Sequence, residues 1–217
     1  MSLALTLPGA HQLAYANEST TASPLSRDET AVSHDEPRML TQWRVMVERN
    51  ANASTPEKLA AVNDFFNELD HVEDELLWGM ADYWATPGEV LQVEAGDCED
   101  MSIAKYFTLR RLGLPAGSLR LTYVKVIERD LAHMVLSYYE KPSAQPLILD
   151  TLVPSVEPAS RRSDLKPVYS FDGNGLWVAI TRSEDRRAGN ADQLAPWQSL
   201  LSRVEQEQDK LSMLKDI

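Results

Sequence analysis

The sequence predicts an α+β fold, with helices in the first half of the chain and an antiparallel sheet in the second half. Between residues 35 and 69, apolar side chains recur every three or four positions, which is typical of amphipathic helices. After Pro115 apolar and polar residues alternate as in strands, and the turn sequence DGNG at residues 172–175 separates two such segments. Runs of helices followed by runs of strands indicate an α+β class and not an alternating parallel sheet.

The first 34 residues are predicted to precede the folded domain. Their beginning is mildly apolar and contains the tripeptide AYA at 14–16, which resembles a signal-peptidase site, although no Lys or Arg precedes Arg27. The segment that follows is rich in Ser, Thr, Asp and Glu and has little apolar periodicity. We interpret residues 1–34 as the remainder of a signal peptide followed by a disordered tail, and residues 35–217 as one domain.

Residues 35–95 are predicted to form a helical lobe at the start of this domain. The apolar faces of its first two helices are formed by Leu40, Trp43, Val47, Leu59, Val62, Phe66 and Leu69. Thr55 followed by Pro56 is a typical cap and first turn for the second of these helices. A capping box, Thr86 followed three residues later by Glu89, predicts a short helix that delivers the chain to the next element.

The only cysteine in the sequence, Cys98, lies at the predicted start of a longer helix that ends at Gly113. Asp97 is a suitable N-cap, and the helix dipole and the unpaired N–H groups of the first turn favour a thiolate over a thiol. Because the thiolate is the nucleophilic form, this position suits an attacking sulfur. A lone cysteine is otherwise most often a small buried apolar residue, so its interpretation depends on the residues that the fold brings near it.

His133 and Asp150 are the predicted partners of this thiol. His133 lies in AHMVLSYY and Asp150 ends PLILD, and both segments have the pattern of strands. A cysteine hydrolase needs a thiolate, an imidazole that exchanges a proton with it, and a third group that orients the imidazole. We therefore predict that residues 96–187 contain a catalytic helix and sheet, followed by a C-terminal helix in residues 190–217.

Three acidic residues, Asp97, Glu99 and Asp100, adjoin the thiol and disfavour its ionisation. Helix capping and dipole matching need fewer acids than this, and clusters of carboxylate oxygens prefer hard cations such as Ca²⁺. Their spacing does not match an EF-hand loop. The sequence therefore indicates a cation site at the start of the helix, with helix capping as the alternative role of the acids.

The composition excludes several other classes of function. The chain carries 33 acidic and 21 basic residues, a formal net charge of −12, which argues against binding to nucleic acids or to anionic membrane surfaces. The sequence contains no apolar run suited to direct membrane insertion and no phosphate-binding or dinucleotide-binding glycine motif. His11, His34 and His71 do not have the spacing of zinc ligands.

Six segments resemble, in the same order, the bacterial transglutaminase-like cysteine proteinases. They lie between Trp78 and Val178 and read DYWATPGEVL, GDCEDMSIAKYFTLRRLGLP, LRLTYV, HMVLSYY, PLILD and PVYSFDGNGLWV. The resemblance implies a papain/transglutaminase-like fold, in which a helical N-terminal lobe presents the cysteine at a helix N-terminus against an antiparallel sheet. It also implies that Cys98 is the nucleophile, His133 the general acid/base and Asp150 the orienting carboxylate.

The same resemblance implies calcium dependence, with Asp97, Glu99 and Asp100 as the ligands. One departure from the family pattern is Met101-Ser102, where Tyr-Ala is expected. These two residues follow the thiol on the helix, so the departure concerns the packing of the helix more than the chemistry.

What is known of the family implies an expected substrate, partner and location. The chain is expected to be a periplasmic cysteine endopeptidase that cuts the N-terminal region of a large surface adhesin at an Ala-Ala site, releasing it and promoting biofilm dispersal. Its expected partner is an inner-membrane receptor for cyclic-di-GMP that sequesters the protease. Two alternatives stay open: a transglutaminase-like acyltransferase, whose thioester is resolved by an amine, and a non-catalytic calcium-binding adaptor, which the intact Cys, His and Asp set disfavours.

Overall fold

The computed structural model describes residues 37–181 and 185–213, with side chains described as far as residue 207. Within these residues, five α-helices precede the main sheet and a sixth follows it. The predicted α+β class is therefore confirmed. The predicted tail of residues 1–34 lies outside the described residues, as does the end of the predicted C-terminal helix from residue 214 onward. The assignment of the tail and the division into domains remain predictions.

Three of the helices in the described residues, α2, α4 and α5, begin at residues that cap them. In the described residues the α-helices are α1 Arg38–Asn50, α2 Thr55–Asn67, α3 Asp74–Leu77, α4 Pro87–Val93, α5 Cys98–Arg111 and α6 Ala195–Met213. The capping box of α4 is present, because Thr86 Oγ1 accepts from the N–H of Glu89 at 3.1 Å while the Glu89 carboxylate accepts from the N–H of Thr86 at 2.7 Å. The N-cap of α2 is Ser54 and not Thr55, since the N–H of Ser54 donates to the Glu57 carboxylate.

Two short strands that the sequence pattern did not predict position the start of α5. Strand β1, Asp70–His71, pairs in parallel with β2, Ala95–Gly96, and the N–H of Val72 donates to the carbonyl of Gly96 at 3.1 Å. Two residues do not produce a detectable alternation, so this pairing depends on tertiary contact. Its consequence is that the segment after α2, including α3, lies beside the residues that open α5.

The main sheet has seven strands in the order β6-β5-β4-β3-β7-β8-β9, and every neighbouring pair is antiparallel. These strands are β3 Leu119–Val126, β4 Leu131–Tyr138, β5 Leu147–Leu149, β6 Glu157–Pro158, β7 Leu165–Phe171, β8 Leu176–Ala179 and β9 Asp185–Gly189. Strand β5 pairs with β4 only between Leu136 and Tyr138, so the first half of β4 has no strand neighbour on that side in the described residues. That open edge faces α5, because the carbonyl of Met134 in β4 accepts from Ser102 Oγ.

Helix α5 is the centre of the core, because it is buried between the other helices and one face of the sheet. The core side chains that are at most 1% exposed include Leu59, Phe66, Met101, Ile103, Leu109, Leu121, Leu136, Leu149, Phe171 and Trp197. Trp197 of α6 contacts the rings of Tyr106, Phe107 and Phe171, with centroid distances of 5.8, 6.0 and 5.3 Å. A second and smaller apolar cluster is formed by one residue from each of four strands: Val124, Val135, Ile148 and Leu165.

Helix α6 is also fixed to the residues before α4 by one arginine. Arg203 donates to Tyr83 Oη at 2.6 Å, to the Glu89 carboxylate at 2.7 Å and to the carbonyl of Trp84 at 2.5 Å. Its guanidinium also lies 4.4 Å from the centroid of the Tyr83 ring. Along the described ranges, no helix combines the length and the apolarity needed to cross a membrane.

Replacing Arg203 with methionine is expected to lower the free energy of unfolding by about 1.5–3 kcal/mol. The variant loses the charge-assisted hydrogen bonds to Tyr83, Trp84 and Glu89, and these acceptors are left with fewer donors. Urea unfolding measures the change. The exposed Arg49 is the matched control, and Arg49→Met should unfold like the wild type. Equal stability of Arg203→Met and the wild type would show that α6 is held by its apolar face alone.

Candidate active site

Cys98 is the first residue of α5, as predicted, and Asp97 is its N-cap. Asp97 Oδ1 accepts from the N–H groups of Glu99 and Asp100 at 3.0 and 3.3 Å, which fixes the first turn. The thiol is half-buried and donates to Glu99 Oε2 over 2.6 Å. The predicted nucleophile therefore sits at a helix N-terminus, but its immediate hydrogen-bond partner is an acid.

The surroundings of Cys98 keep its thiol protonated. Burial raises the pKa of Cys98 well above its ordinary value, and the negative charge and hydrogen bond of Glu99 raise it further. A backbone hydrogen bond from Met134 acts in the opposite direction, because an N–H donor stabilises the thiolate. The conflict between the acids and the thiol that the sequence predicted is thus present in the folded protein.

His133 and Asp150 form a buried pair. His133 lies on β4, Asp150 directly follows β5, and His133 Nε2 is 2.6 Å from Asp150 Oδ1, with both residues at most 3% exposed. Burial would raise the pKa of Asp150, but the bond to His133, the N–H of Leu152 and the charge of Arg162 together lower that pKa to about 2. Asp150 is therefore an ionised carboxylate that accepts from the imidazole.

Met134 brings this pair to the thiol. Beyond the end of β5, the backbone of Met134 turns to α5: its carbonyl accepts from Ser102 Oγ at 3.0 Å, and its N–H is near enough to the sulfur of Cys98 to lower the pKa of the thiol. His133 is the next residue along β4. Since Asp150 holds Nε2, the ring nitrogen that remains for the sulfur is Nδ1. Ser102, one of the two departures from the family pattern, is the residue that anchors β4 to α5.

A cluster of buried carboxylates lies beside the start of α5. Asp97 and Asp100, both predicted as ligands, come together with Asp74 of α3, and one oxygen of each lies within 4.8 Å of the others. Asp74 Oδ2 accepts from the N–H of Tyr83 at 2.5 Å, and Asp100 Oδ1 accepts from the N–H of Ala85 at 2.6 Å. Their other oxygens, Asp74 Oδ1 and Asp100 Oδ2, are buried and make no well-formed hydrogen bond in the described part of the chain, although the indole N–H of Trp78 is near enough to Asp100 to lower its pKa.

Burial of these acids makes them hold protons unusually well. It raises the pKa of Asp74 to about 6 and, with a smaller contribution from neighbouring acids, the pKa of Asp97 and of Asp100 to about 7. Within the described ranges no salt bridge reaches any of the three. An all-oxygen set with unused buried oxygens fits a hard divalent cation such as Ca²⁺.

Asp74 is the member of this set that the sequence did not identify. It lies in an acidic run more than twenty residues before Asp97, and the β1–β2 pairing brings it close. Gly96 makes room for the cluster, because a Cβ at this position would lie 2.8 Å from the Cβ of Asp100 and 3.0 Å from its Oδ2. The third predicted ligand, Glu99, instead groups with Asp97 and Cys98, and its role as a ligand stays a prediction.

Comparisons with known proteins agree with this geometry. Residues 33–185 match the family model of the bacterial transglutaminase-like cysteine proteinases. The EGTA-treated structure of Legionella pneumophila LapG is similar to this chain with 41% identity and a TM-score of 0.69, over 76% of this chain and 87% of that one. The calcium-bound structure of the same protein gives 40% identity and a TM-score of 0.68, over 76% and 89%. No curated protein sequence matches significantly.

The contact between Glu99 and the thiol predicts a measurable change in reactivity. In EGTA, Glu99→Gln should increase the rate at which iodoacetamide alkylates Cys98 several-fold near neutral pH, because it removes the charge and the strongest acceptor that hold the proton on sulfur. Glu75→Gln, which changes an exposed acid nearby, should react like the wild type. An unchanged or slower rate in Glu99→Gln would assign the high pKa of the thiol to burial alone.

The three buried acids also predict how the metal-free protein responds to pH. Their folded-state pKa values, about 6 to 7, exceed the unfolded value of about 4, so the folded protein binds more protons than the unfolded chain within this window. Stability in EGTA should therefore fall as pH rises from about 4 through 7. The melting temperature, measured by thermal unfolding at several pH values, gives the slope of stability against pH. Asp100→Asn should make this slope shallower, and Asp192→Asn, a control at an exposed site, should leave it unchanged. A melting temperature that rises across the window would contradict the assignment.

Proposed function

The chain belongs to the bacterial transglutaminase-like cysteine proteinases, and on that premise we propose that it is a calcium-dependent endopeptidase whose catalytic triad is Cys98, His133 and Asp150. The observation that carries the proposal is the buried pair of His133 Nε2 and Asp150 Oδ1 at 2.6 Å. The backbone N–H of Met134, the residue that follows His133, is near enough to the sulfur at the start of α5 to lower the pKa of Cys98. A non-catalytic adaptor would not need a buried imidazole and carboxylate beside a thiol.

Each member of the triad then has a defined role. His133 takes the proton of Cys98 through Nδ1 as the sulfur attacks the peptide carbonyl, and returns it to the leaving amine. Water, deprotonated by the same imidazole, hydrolyses the resulting thioester. Asp150 stays ionised throughout, holds the proton on Nε2 and stabilises the imidazolium that forms between these steps.

The N–H of Cys98 is the proposed donor to the oxyanion. The first four N–H groups of a helix have no acceptor within the helix. In α5 the N–H of Met101 makes the first bond within the helix, to the Asp97 carbonyl, and the N–H groups of Glu99 and Asp100 donate to the Asp97 side chain. Of the three N–H groups in the first turn, that of Cys98 has no acceptor among the described residues and lies next to the sulfur, where the negative charge of a tetrahedral intermediate develops.

The buried acids are the proposed calcium ligands. Asp97 and Asp100 would hold the ion together with Asp74, and Glu99 is proposed to contribute from the thiol side, since Asp97 belongs to both groups of acids. The similarity to calcium-bound Legionella LapG supports calcium as the ion. When bound, the ion supplies positive charge that offsets the carboxylates around the thiol. Asp97 then fixes the first turn of α5, and the bonds of Asp74 and Asp100 to residues 83 and 85 fix the segment before α4.

The substrate, partner and location follow from the resemblance to LapG-type proteases. We propose that the enzyme acts in the periplasm on the N-terminal region of a large surface adhesin, at an Ala-Ala site, so that cleavage releases the adhesin and disperses a biofilm. A receptor for cyclic-di-GMP in the inner membrane, similar to LapD, would sequester it. The similarity of 39–41% over 76% of this chain supports this assignment.

Digestion of an adhesin fragment tests the proposed reaction. The wild type should cut the N-terminal fragment of the adhesin from the same organism in calcium and not in EGTA, and Cys98→Ala should not cut it, as mass spectrometry would show. Adding a primary amine separates hydrolysis from acyl transfer, because a transferase would attach the amine to the new carboxyl end. Cleavage by Cys98→Ala would refute the nucleophile, and amine attachment as the main product would favour the acyltransferase.

Asp74 gives the most specific prediction about the metal. Asp74→Asn should weaken calcium binding at least about tenfold, as measured by calorimetry, because the site loses a charged ligand. Calcium should correspondingly raise the melting temperature of the wild type but not of this variant. Asp192→Asn changes an exposed acid outside the cluster and should bind calcium normally. Unaltered affinity in Asp74→Asn would remove this residue from the site.

A further inference from the structure

The carboxylate of Asp150 has a second charged partner besides His133. Arg162 Nη1 lies 2.6 Å from Asp150 Oδ2, and the side chain of Arg162 is only 4% exposed. The two atoms are poorly aligned for a hydrogen bond, so the contact is mainly an ion pair. A guanidinium this deeply buried requires compensating partners, and Arg162 finds the second in Asp164, to which Nε and Nη2 donate at 3.0 and 2.7 Å.

Arg162 reaches Asp150 from a separate part of the chain. It follows the short turn Ala159–Arg161, where its N–H donates to the carbonyl of Ala159, and its own carbonyl accepts from the N–H of Leu165 at the start of β7. Both ends of the residue are therefore fixed by the backbone. The planar fork of the guanidinium spans the carboxylates of Asp150 and Asp164, which an ammonium group could not do with the same geometry.

The main chain of Asp150 is fixed independently of Arg162. Its carbonyl accepts from Asn67 Nδ2 at 2.9 Å, and Asn67 Oδ1 accepts from the buried amine of Lys105 at 2.7 Å. This network holds the backbone of Asp150 to α2 and α5. What it leaves undetermined is the rotation of the carboxylate about the side-chain bonds.

We propose that Arg162 is a positioning residue, which fixes the carboxylate of Asp150 so that Oδ1 faces His133. Each oxygen then has its own partners: Oδ1 accepts from His133 and from the N–H of Leu152 at 3.0 Å, and Oδ2 pairs with Arg162. Rotation of the carboxylate would break both sets at once. The imidazole is thereby kept in the orientation that presents its other nitrogen to Cys98, so this inference rests on the proposed triad.

Alkylation of Cys98 by iodoacetamide in saturating calcium near neutral pH tests the role without depending on the identity of the substrate. Arg162→Met should slow the reaction about tenfold or more, because an imidazole that is not oriented no longer stabilises the thiolate. Arg161→Met is the matched control, since the neighbouring side chain is 74% exposed, and it should react like the wild type. Arg162→Lys should react at a rate between those of the wild type and Arg162→Met, because a lysine keeps the positive charge but lacks the planar guanidinium.

The double variant Arg162→Met with Asp150→Asn separates positioning from a merely structural role. If Arg162 acts through Asp150, the double variant should react no more slowly than Asp150→Asn alone. Asp164→Asn should lower the melting temperature, because it weakens the anchoring of the loop, but should retain most of the reactivity. Circular dichroism checks that each variant folds. If Arg162→Met does not fold, the alkylation rates of Arg162→Lys and of the double variant, which removes both buried charges, are compared with the wild type and with Asp150→Asn instead.

Two results would overturn the inference: wild-type alkylation in Arg162→Met, or effects of the two substitutions that multiply in the double variant. The proposed function fails in a different way. If wild-type Cys98 reacts no faster than a free thiol, or if His133→Ala leaves its rate unchanged, the triad itself is wrong.

Discussion

The concentration of negative charge at the start of α5 is the constraint on which the rest of this structure depends. A thiol that must ionise shares one helix turn with Asp97, Glu99 and Asp100, and Asp74 joins them from α3. Burial raises the pKa of the thiol and of these aspartates together, so the site as it stands holds protons that catalysis requires it to release. A divalent cation bound at the proposed site would resolve this conflict, because it would favour the charged form of each carboxylate and relieve the field at the sulfur.

The architecture around α5 serves to hold these groups in register. The parallel β1–β2 pair brings α3 to the helix start, and the end of β5 leaves the backbone of Met134 free to accept from Ser102 and to lower the pKa of Cys98. On the other side of the imidazole, Asp150 receives a hydrogen bond to its carbonyl and charged or polar partners on both of its oxygens. The thiol, the imidazole and the carboxylate of the proposed triad thus come from three separate elements, each fixed by contacts to other residues.

The sequence predicted the features that depend on local chemistry. The α5 start at Cys98 is capped by Asp97, and the left-handed φ of +91° at Gly113 marks its end, as the cap and stop signals indicated. Alternation predicted the central strands, and the structure brings the side chains of His133, within β4, and Asp150, after β5, together. These signals are contained within a few consecutive residues, so they can be read without knowing the tertiary structure.

The features that the sequence did not predict all depend on contacts between distant residues. Asp74 has no local pattern that separates it from the acids around it, and Arg162 is one of a pair of adjacent arginines of which only the second is buried. Ser102 was noted only as a departure from the family pattern, and its bond to Met134 could not be inferred before β4 was placed against α5. Each of these side chains is distinguished by its burial beside a partner from a distant part of the chain: Asp74 beside the N–H of Tyr83, Ser102 beside the carbonyl of Met134 and Arg162 beside the carboxylate of Asp150.

Titration of the thiol by the ultraviolet absorbance of the thiolate, with and without calcium, tests the central claim most directly. Cys98→Ser provides the blank, so that the signal reports one group. If the buried acids hold the proton on sulfur and a cation offsets them, saturating calcium will move the midpoint of Cys98 ionisation to clearly lower pH than EGTA does. Identical midpoints in calcium and EGTA, in a protein that calorimetry shows to bind the ion, would contradict the account.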